Sequence, residues 1–162
     1  MKKPVIFGIL TVLCMVLIFC FSAQNSAASD KTSDSFTVKV LSTVSPKFKE
    51  LNEKEKEKVV SDLTFPVRKS AHFSIYFVLG IFSALTFLNL KKPKFIVRSL
   101  LAFALCALYS VSDEIHQYFV PGRSCELRDM LIDSSAALIA VILVSLYFKK
   151  KGRKACEKEK AS

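Results

Sequence analysis

HFSIYFVLGIFSALTFLNL-KKPK-FIVRSLLAFALCALYSVS, residues 72–112, is the stretch that decides the fold. Two long apolar runs, 72–90 and 95–112, flank a short basic turn containing Lys91, Lys92 and Lys94. A helix that crosses a bilayer needs about 20 predominantly apolar residues, and each run supplies them. A soluble amphipathic helix would instead show an apolar stripe at helical spacing with polar residues between. In hydrocarbon, every backbone N–H and C=O must be paired within its own segment, so runs of this kind are helices. Two spans joined by a four-residue basic turn form a transmembrane hairpin.

The same pattern recurs on either side. Residues 5–21 form another apolar block, and residues 131–148 a fourth. Charge is nearly absent from all four. Arg98 is near the start of its span, where its long side chain reaches the interface, whereas Asp133, near the start of the last span, requires a partner. The predicted fold is therefore all-α, a four-helix transmembrane bundle. The composition agrees: 51% of the 162 residues are hydrophobic and the mean hydropathy is +0.35.

The formal net charge is +10, and its placement gives it meaning. Lys2 and Lys3 precede the first span, and Lys91, Lys92, Lys94 and Arg98 surround the second turn. Lys149, Lys150, Lys151, Arg153, Lys154, Lys158 and Lys160 follow the last span. Basic residues favour the cytoplasmic side, so the sequence predicts an N-in/C-in protein of the cell membrane. In this reading 1–148 is the membrane domain and 149–162 a basic cytoplasmic tail. The pI of about 9.5 then follows from topology and implies no nucleic acid partner. The first block has a basic start and small residues after it, as a signal peptide does, but its apolar core is long for one and it is read as retained. Phe19 is too bulky to precede a lipidated Cys20.

The long segment 24–67 is the extracytoplasmic loop in this topology. Its first part is serine-rich and is read as mobile. Its second part, 46–62, alternates Glu and Lys from Glu53 to Lys58, which suits a solvated linker helix, with Phe48, Leu51, Val59 and Val60 available to rest on the bilayer surface. The five cysteines form no CxxC pair and no zinc spacing. They are read as small hydrophobes, with Cys125 alone near the polar cluster described next.

Ionisable groups collect where the spans meet the outer face. Arg68, Lys69 and His72 open the second helix, with Tyr76 on the His72 face. Asp113, Glu114, His116 and Gln117 close the third, with Tyr109 a turn below. Pro121 and Gly122 make the turn to Arg123, and Asp129 and Asp133 begin the fourth helix. Both histidines of the chain fall in this cluster. A lone charge at a helix centre costs about 2.5–3.5 kcal/mol on insertion scales, so Asp133 should face the bundle and meet Arg68, Arg123 or His72. Three readings follow: an ion-pair network clamping helix ends; an anionic head-group site, with arginine forks matched to phosphate or carboxylate; or a catalytic site. In the last, His72, Asp113, Glu114, His116 and Asp129 would share proton transfer, orientation or metal binding. No H-E-x-x-H, serine elbow or Cys-His pair is present, and no metal or other cofactor is assigned.

Two stretches carry a resemblance. Residues 67–73 read VRKSAHF, followed by Tyr76, Leu79 and Gly80; residues 113–123 read DEIHQYFVPGR, followed by Asp129. Together with a lesser match at 21–24, FSAQ, they resemble the VanZ-like family of bacterial membrane proteins. The family often has glycines on the last helix where this chain has Ala136 and Ala140, which keeps the small size needed for close packing. The resemblance implies a multi-pass membrane protein with a link to low-level teicoplanin resistance, the property of the founding member. Joined to the cluster, it points to a membrane protein that engages an anionic lipid or cell-wall precursor head group through Arg68, Lys69, His72, Tyr76, Asp113, Glu114, Gln117, Arg123, Asp129 and Asp133. The alternative is a hydrolase or transferase acting on a lipid-linked substrate. The number of copies in the assembly is open.

Overall fold

The structure, a computed structural model, describes residues 2–161, with side chains as far as Arg153. The tail residues Lys154, Cys156, Glu157, Lys158, Glu159 and Lys160 therefore contribute no described side chains. Six helices run in order: α1 Lys2–Ser22, α2 Ser26–Val44, α3 Pro46–Glu50, α4 Glu53–Leu88, α5 Phe95–Tyr118 and α6 Leu127–Ala161, with no strand among the described residues. Four of them, α1, α4, α5 and α6, are long and apolar enough to cross a membrane. The outward faces are apolar, as lipid contact requires: Val5, Ile9, Val12 and Val16 on α1 and Ile139, Ile142, Leu143 and Leu146 on α6 are all exposed.

α4 is the hub, packing against α6, α1, α5 and α2. Lipid tails are as apolar as leucine, so close approach of small residues and interhelical hydrogen bonds hold such a bundle. The tightest approach is at Gly80. A Cβ built there would fall 2.7 Å from the Ala137 carbonyl oxygen and 2.9 Å from the Ala140 Cβ. Ala136, Ala137 and Ala140 are fully buried at this seam, so the alanines fill the small-residue role. Polar ties join the other faces: Ser83 Oγ donates to Ala102 O at 2.9 Å, and Tyr109 Oη to Met15 O at 2.6 Å. Thr11 and Thr86 hydroxyls meet at 3.2 Å. α1 is a packed member of the bundle, with Cys14 and Ile18 in the core beside Tyr76 and Leu79.

The structure corrects the reading of residues 24–67. The serine-rich first part forms the 19-residue helix α2, opened by an Asn25 cap whose side chain accepts from the Ala28 N–H at 2.8 Å. The charged second part is no separate linker helix. Its first residues form the short α3, and from Glu53 it is the leading part of α4, nucleated by a capping box in which Asn52 and Glu55 satisfy each other's backbone N–H. Pro66 lacks the N–H an interior residue donates, yet the helix runs through it. A helix of 36 residues is about 54 Å long at 1.5 Å per residue, against about 30 Å of hydrocarbon. The excess corresponds to the charged half. Phe48 and Val60, assigned above to a bilayer surface, are instead buried, and α2 packs along α4. Accordingly Arg68, Lys69 and His72 lie in the middle of α4 and do not open a helix.

Candidate functional site at one end of the bundle

The helical spacing of α5 turns Asp113, Glu114 and Gln117 inward, and all three are buried. His116 faces elsewhere: its ring stacks on Phe19 with centroids 4.5 Å apart. Asp133, on α6, is 1% exposed, and Tyr76, on α4, is fully buried. His72 comes from α4, so three helices converge. One donor atom from each of His72, Asp113 and Asp133 lies within 4.8 Å of the others, and His72 Nδ1 is 4.0 Å from Asp133 Oδ2. Of the three partners expected for Asp133, histidine is the one that arrives.

The two arginines are placed differently. Arg68 Nη1 donates to Asp30 Oδ1 of α2 at 2.8 Å. Arg123 Nη1 donates to Gln117 Oε1 at 2.9 Å, and Gln117 Nε2 donates to Asp113 Oδ2 at 3.2 Å. Ser22 Oγ, at the end of α1, donates to the same Oδ2 at 3.0 Å. A chain of donors thus runs from Arg123 inward to Asp113, leaving Asp113 Oδ1 with no hydrogen-bond partner. Lys69 pairs with Asp129 across the α4–α6 interface. Glu114 serves the architecture. Its Oε2 accepts the backbone N–H of Glu126 at 3.0 Å, satisfying an amide at the start of α6 that no intrahelical carbonyl can reach.

These groups frame a small polar cavity of about 70 Å³ bordered by Arg68, Lys69, His72, Gln117, Arg123 and Asp129. The α5–α6 turn closes it. Gly122 has φ +76°, a left-handed conformation that favours glycine, and Ser26 N–H reaches the Pro121 carbonyl at 3.4 Å. α2 is thereby tied to the cavity mouth. Arg123, in this turn and outside the spans, has its pKa lowered, first by burial and then by the Arg68 guanidinium; Asp113, Glu114 and Asp30 act in the opposite sense.

All ten residues proposed from the sequence as ligand-binding lie at this end of the bundle, but they play separate roles. Two contributors escaped notice. Ser22 falls in the FSAQ stretch, which held a signal for it. Asp30 lies in a polar segment with no motif, and nothing local marks it as the partner of a residue 38 positions away.

A family model described as VanZ/LLP1 matches residues 7–148. A search of curated proteins returned no match, and neither did a search of solved structures.

Proposed function

The chain belongs to the VanZ/LLP1 family, and from that premise and the geometry of the rim we propose that it is a membrane protein that holds an anionic head group, of the phosphate class, in the cavity between Arg68, Lys69 and Arg123. The observation that carries this reading is the shared placement of two guanidiniums and an ammonium on one small cavity, with Arg68 and burial both opposing the charge on Arg123. An anion between the two arginines would relieve that opposition and accept their planar forks. The N-in/C-in orientation, supported by the basic residues at both termini and in the α4–α5 turn, turns the cavity to the extracytoplasmic side, where lipids and cell-wall precursors present such groups. A contribution to teicoplanin resistance would follow from occupying or shielding these head groups.

The test uses the full chain in nanodiscs of phosphatidylcholine doped with phosphatidylglycerol. Wild-type protein retains phosphatidylglycerol through purification into detergent, and the Arg68→Gln/Arg123→Gln variant loses most of it. Equal retention by both overturns the reading. Release of a water-soluble head group from the retained lipid would instead support the hydrolase alternative. Expression of the two forms in a teicoplanin-sensitive bacterium then asks whether resistance follows the arginines.

A further inference from the structure

We propose that His72, Asp113 and Asp133 form a binding site for one divalent cation, of the Zn²⁺ or Mn²⁺ type, beneath the cavity. The three residues come from α4, α5 and α6, and their donor atoms lie within 4.8 Å of one another. Proximity of acids alone would not carry the proposal. Two unmatched ligand atoms do: Asp113 Oδ1 and Asp133 Oδ2 have no hydrogen-bond partner, and their residues are 3% and 1% exposed. Buried polar atoms are nearly always paired, and each exception calls for an explanation.

Charge balance points the same way. None of the three cations of this end bonds either carboxylate directly: Lys69 pairs with Asp129, Arg68 with Asp30, and Arg123 donates to Gln117. When both are ionised, two buried carboxylates beside one imidazole would carry an uncompensated charge in a medium where that is costly. One divalent ion cancels it. The ligand set is one imidazole with two carboxylates and no thiolate, which suits Zn²⁺ or Mn²⁺ better than a soft ion. Three protein ligands with a further position open is the pattern of reactive zinc sites.

The surroundings support an ion as well. Metal-bound carboxylates are oriented by outer hydrogen bonds, and Asp113 Oδ2 receives two, from Ser22 and Gln117, while Oδ1 remains available. Donors at about 2.1 Å from a tetrahedral ion are about 3.4 Å apart, so the 4.0 Å between His72 Nδ1 and Asp133 Oδ2 closes by small side-chain rotations on binding. His72 also borders the cavity, which gives an ion its way in. The site stands on these atoms and does not depend on the head-group reading.

The experiment is a titration of untagged full-length chain with Zn²⁺ and with Mn²⁺, in nanodiscs of phosphatidylcholine alone, read by calorimetry and by elemental analysis after dialysis. The expected result is one ion per chain. Asp113→Asn, Asp133→Asn and His72→Gln each weaken binding at least tenfold, whereas Glu53→Gln, at the far end of α4, binds as wild type. If a variant does not fold, X-ray absorption of the wild-type complex decides, since it must show nitrogen and oxygen donors and no sulfur. Absence of stoichiometric binding by the wild type overturns the proposal, as does binding that survives Asp113→Asn and Asp133→Asn together. Because no anionic lipid is present, failure here leaves the head-group reading intact.

Discussion

Ser22, Asp113, Gln117 and Arg123 act as one line of hydrogen bonds in which each member fixes the next. Ser22→Ala removes one of the two donors to Asp113 Oδ2, and losing a partner of a buried charged acceptor costs about 1–3 kcal/mol. Thermal unfolding in detergent should show a lower midpoint for this variant, and an unchanged midpoint would mean that Ser22 is incidental to the site. Glu114 makes a contrasting case. The sequence presents it as one more acid among candidate catalytic groups, yet its described contact is with the Glu126 amide. Glu114→Gln keeps an acceptor and should leave stability nearly unchanged, while Glu114→Ala should destabilise by about 1 kcal/mol, the usual worth of a lost helix cap. Equal effects of the two substitutions would show that charge, rather than capping, is what Glu114 supplies. His116 shows how spacing misleads at this scale. Its i, i+3 relation to Asp113 places both on neighbouring parts of one face, but three residues turn a helix by about 300°, and the remaining rotation brings His116 to Phe19.

Helix against helix, the α4–α6 seam is the most demanding contact. Gly80→Ala drives a Cβ into the Ala137 backbone, which has no flexible end to move aside. Overpacking of this kind costs about 1–3 kcal/mol. Gly8→Ala is the matched control, since its Cβ would meet Thr86 Cγ2 at an ordinary 3.8 Å. Comparison of the two unfolding midpoints tests whether the seam, rather than helix propensity, governs stability, and a larger loss at Gly8 would refute that. α2 is held more lightly. Its Arg68–Asp30 pair is partly exposed, and exposed pairs contribute about 0–1 kcal/mol. Asp30→Asn should therefore leave global stability almost unchanged while speeding limited proteolysis within 26–44. The extent of α2 and of α4 was the least legible part of the sequence. Ser and Thr compete locally with helical hydrogen bonding, and Pro66 marks an apparent break. Tertiary packing overrides both, because Thr64 on α4 bonds Asp34 on α2 and Phe48 and Val60 have a surface to cover.

For the whole molecule, the bundle sorts its cysteines into those that can and cannot react. Cys14 and Cys106 are buried, whereas Cys20, near the end of α1, and Cys125, in the α5–α6 turn, are exposed. With the N-in/C-in orientation, a membrane-impermeant maleimide applied to intact cells carrying the Cys20→Ser variant should label Cys125, and adding Cys125→Ser should abolish that signal. Labelling of Cys125 only after permeabilisation would reverse the orientation and move the cavity to the cytoplasmic face.

Although α5 runs on to Tyr118, beyond the expected 112, and α6 begins at Leu127, before the expected 131, four spans, the start of α5 at Phe95, and the gathering of ionisable residues at one end were determined by the sequence itself. Each rests on local composition: hydrocarbon admits only apolar helices, so charge must accumulate where helices leave it. Which group meets which was decided by tertiary structure alone. A one-residue change in helix phase turns a side chain by about 100°, and that phase is set by contacts such as Gly80 on Ala137, far along the chain from the site. For that reason the meeting of His72 with Asp113 and Asp133, the diversion of Arg68 to Asp30, and the helical course of residues 26–44 became visible only once the helices were packed.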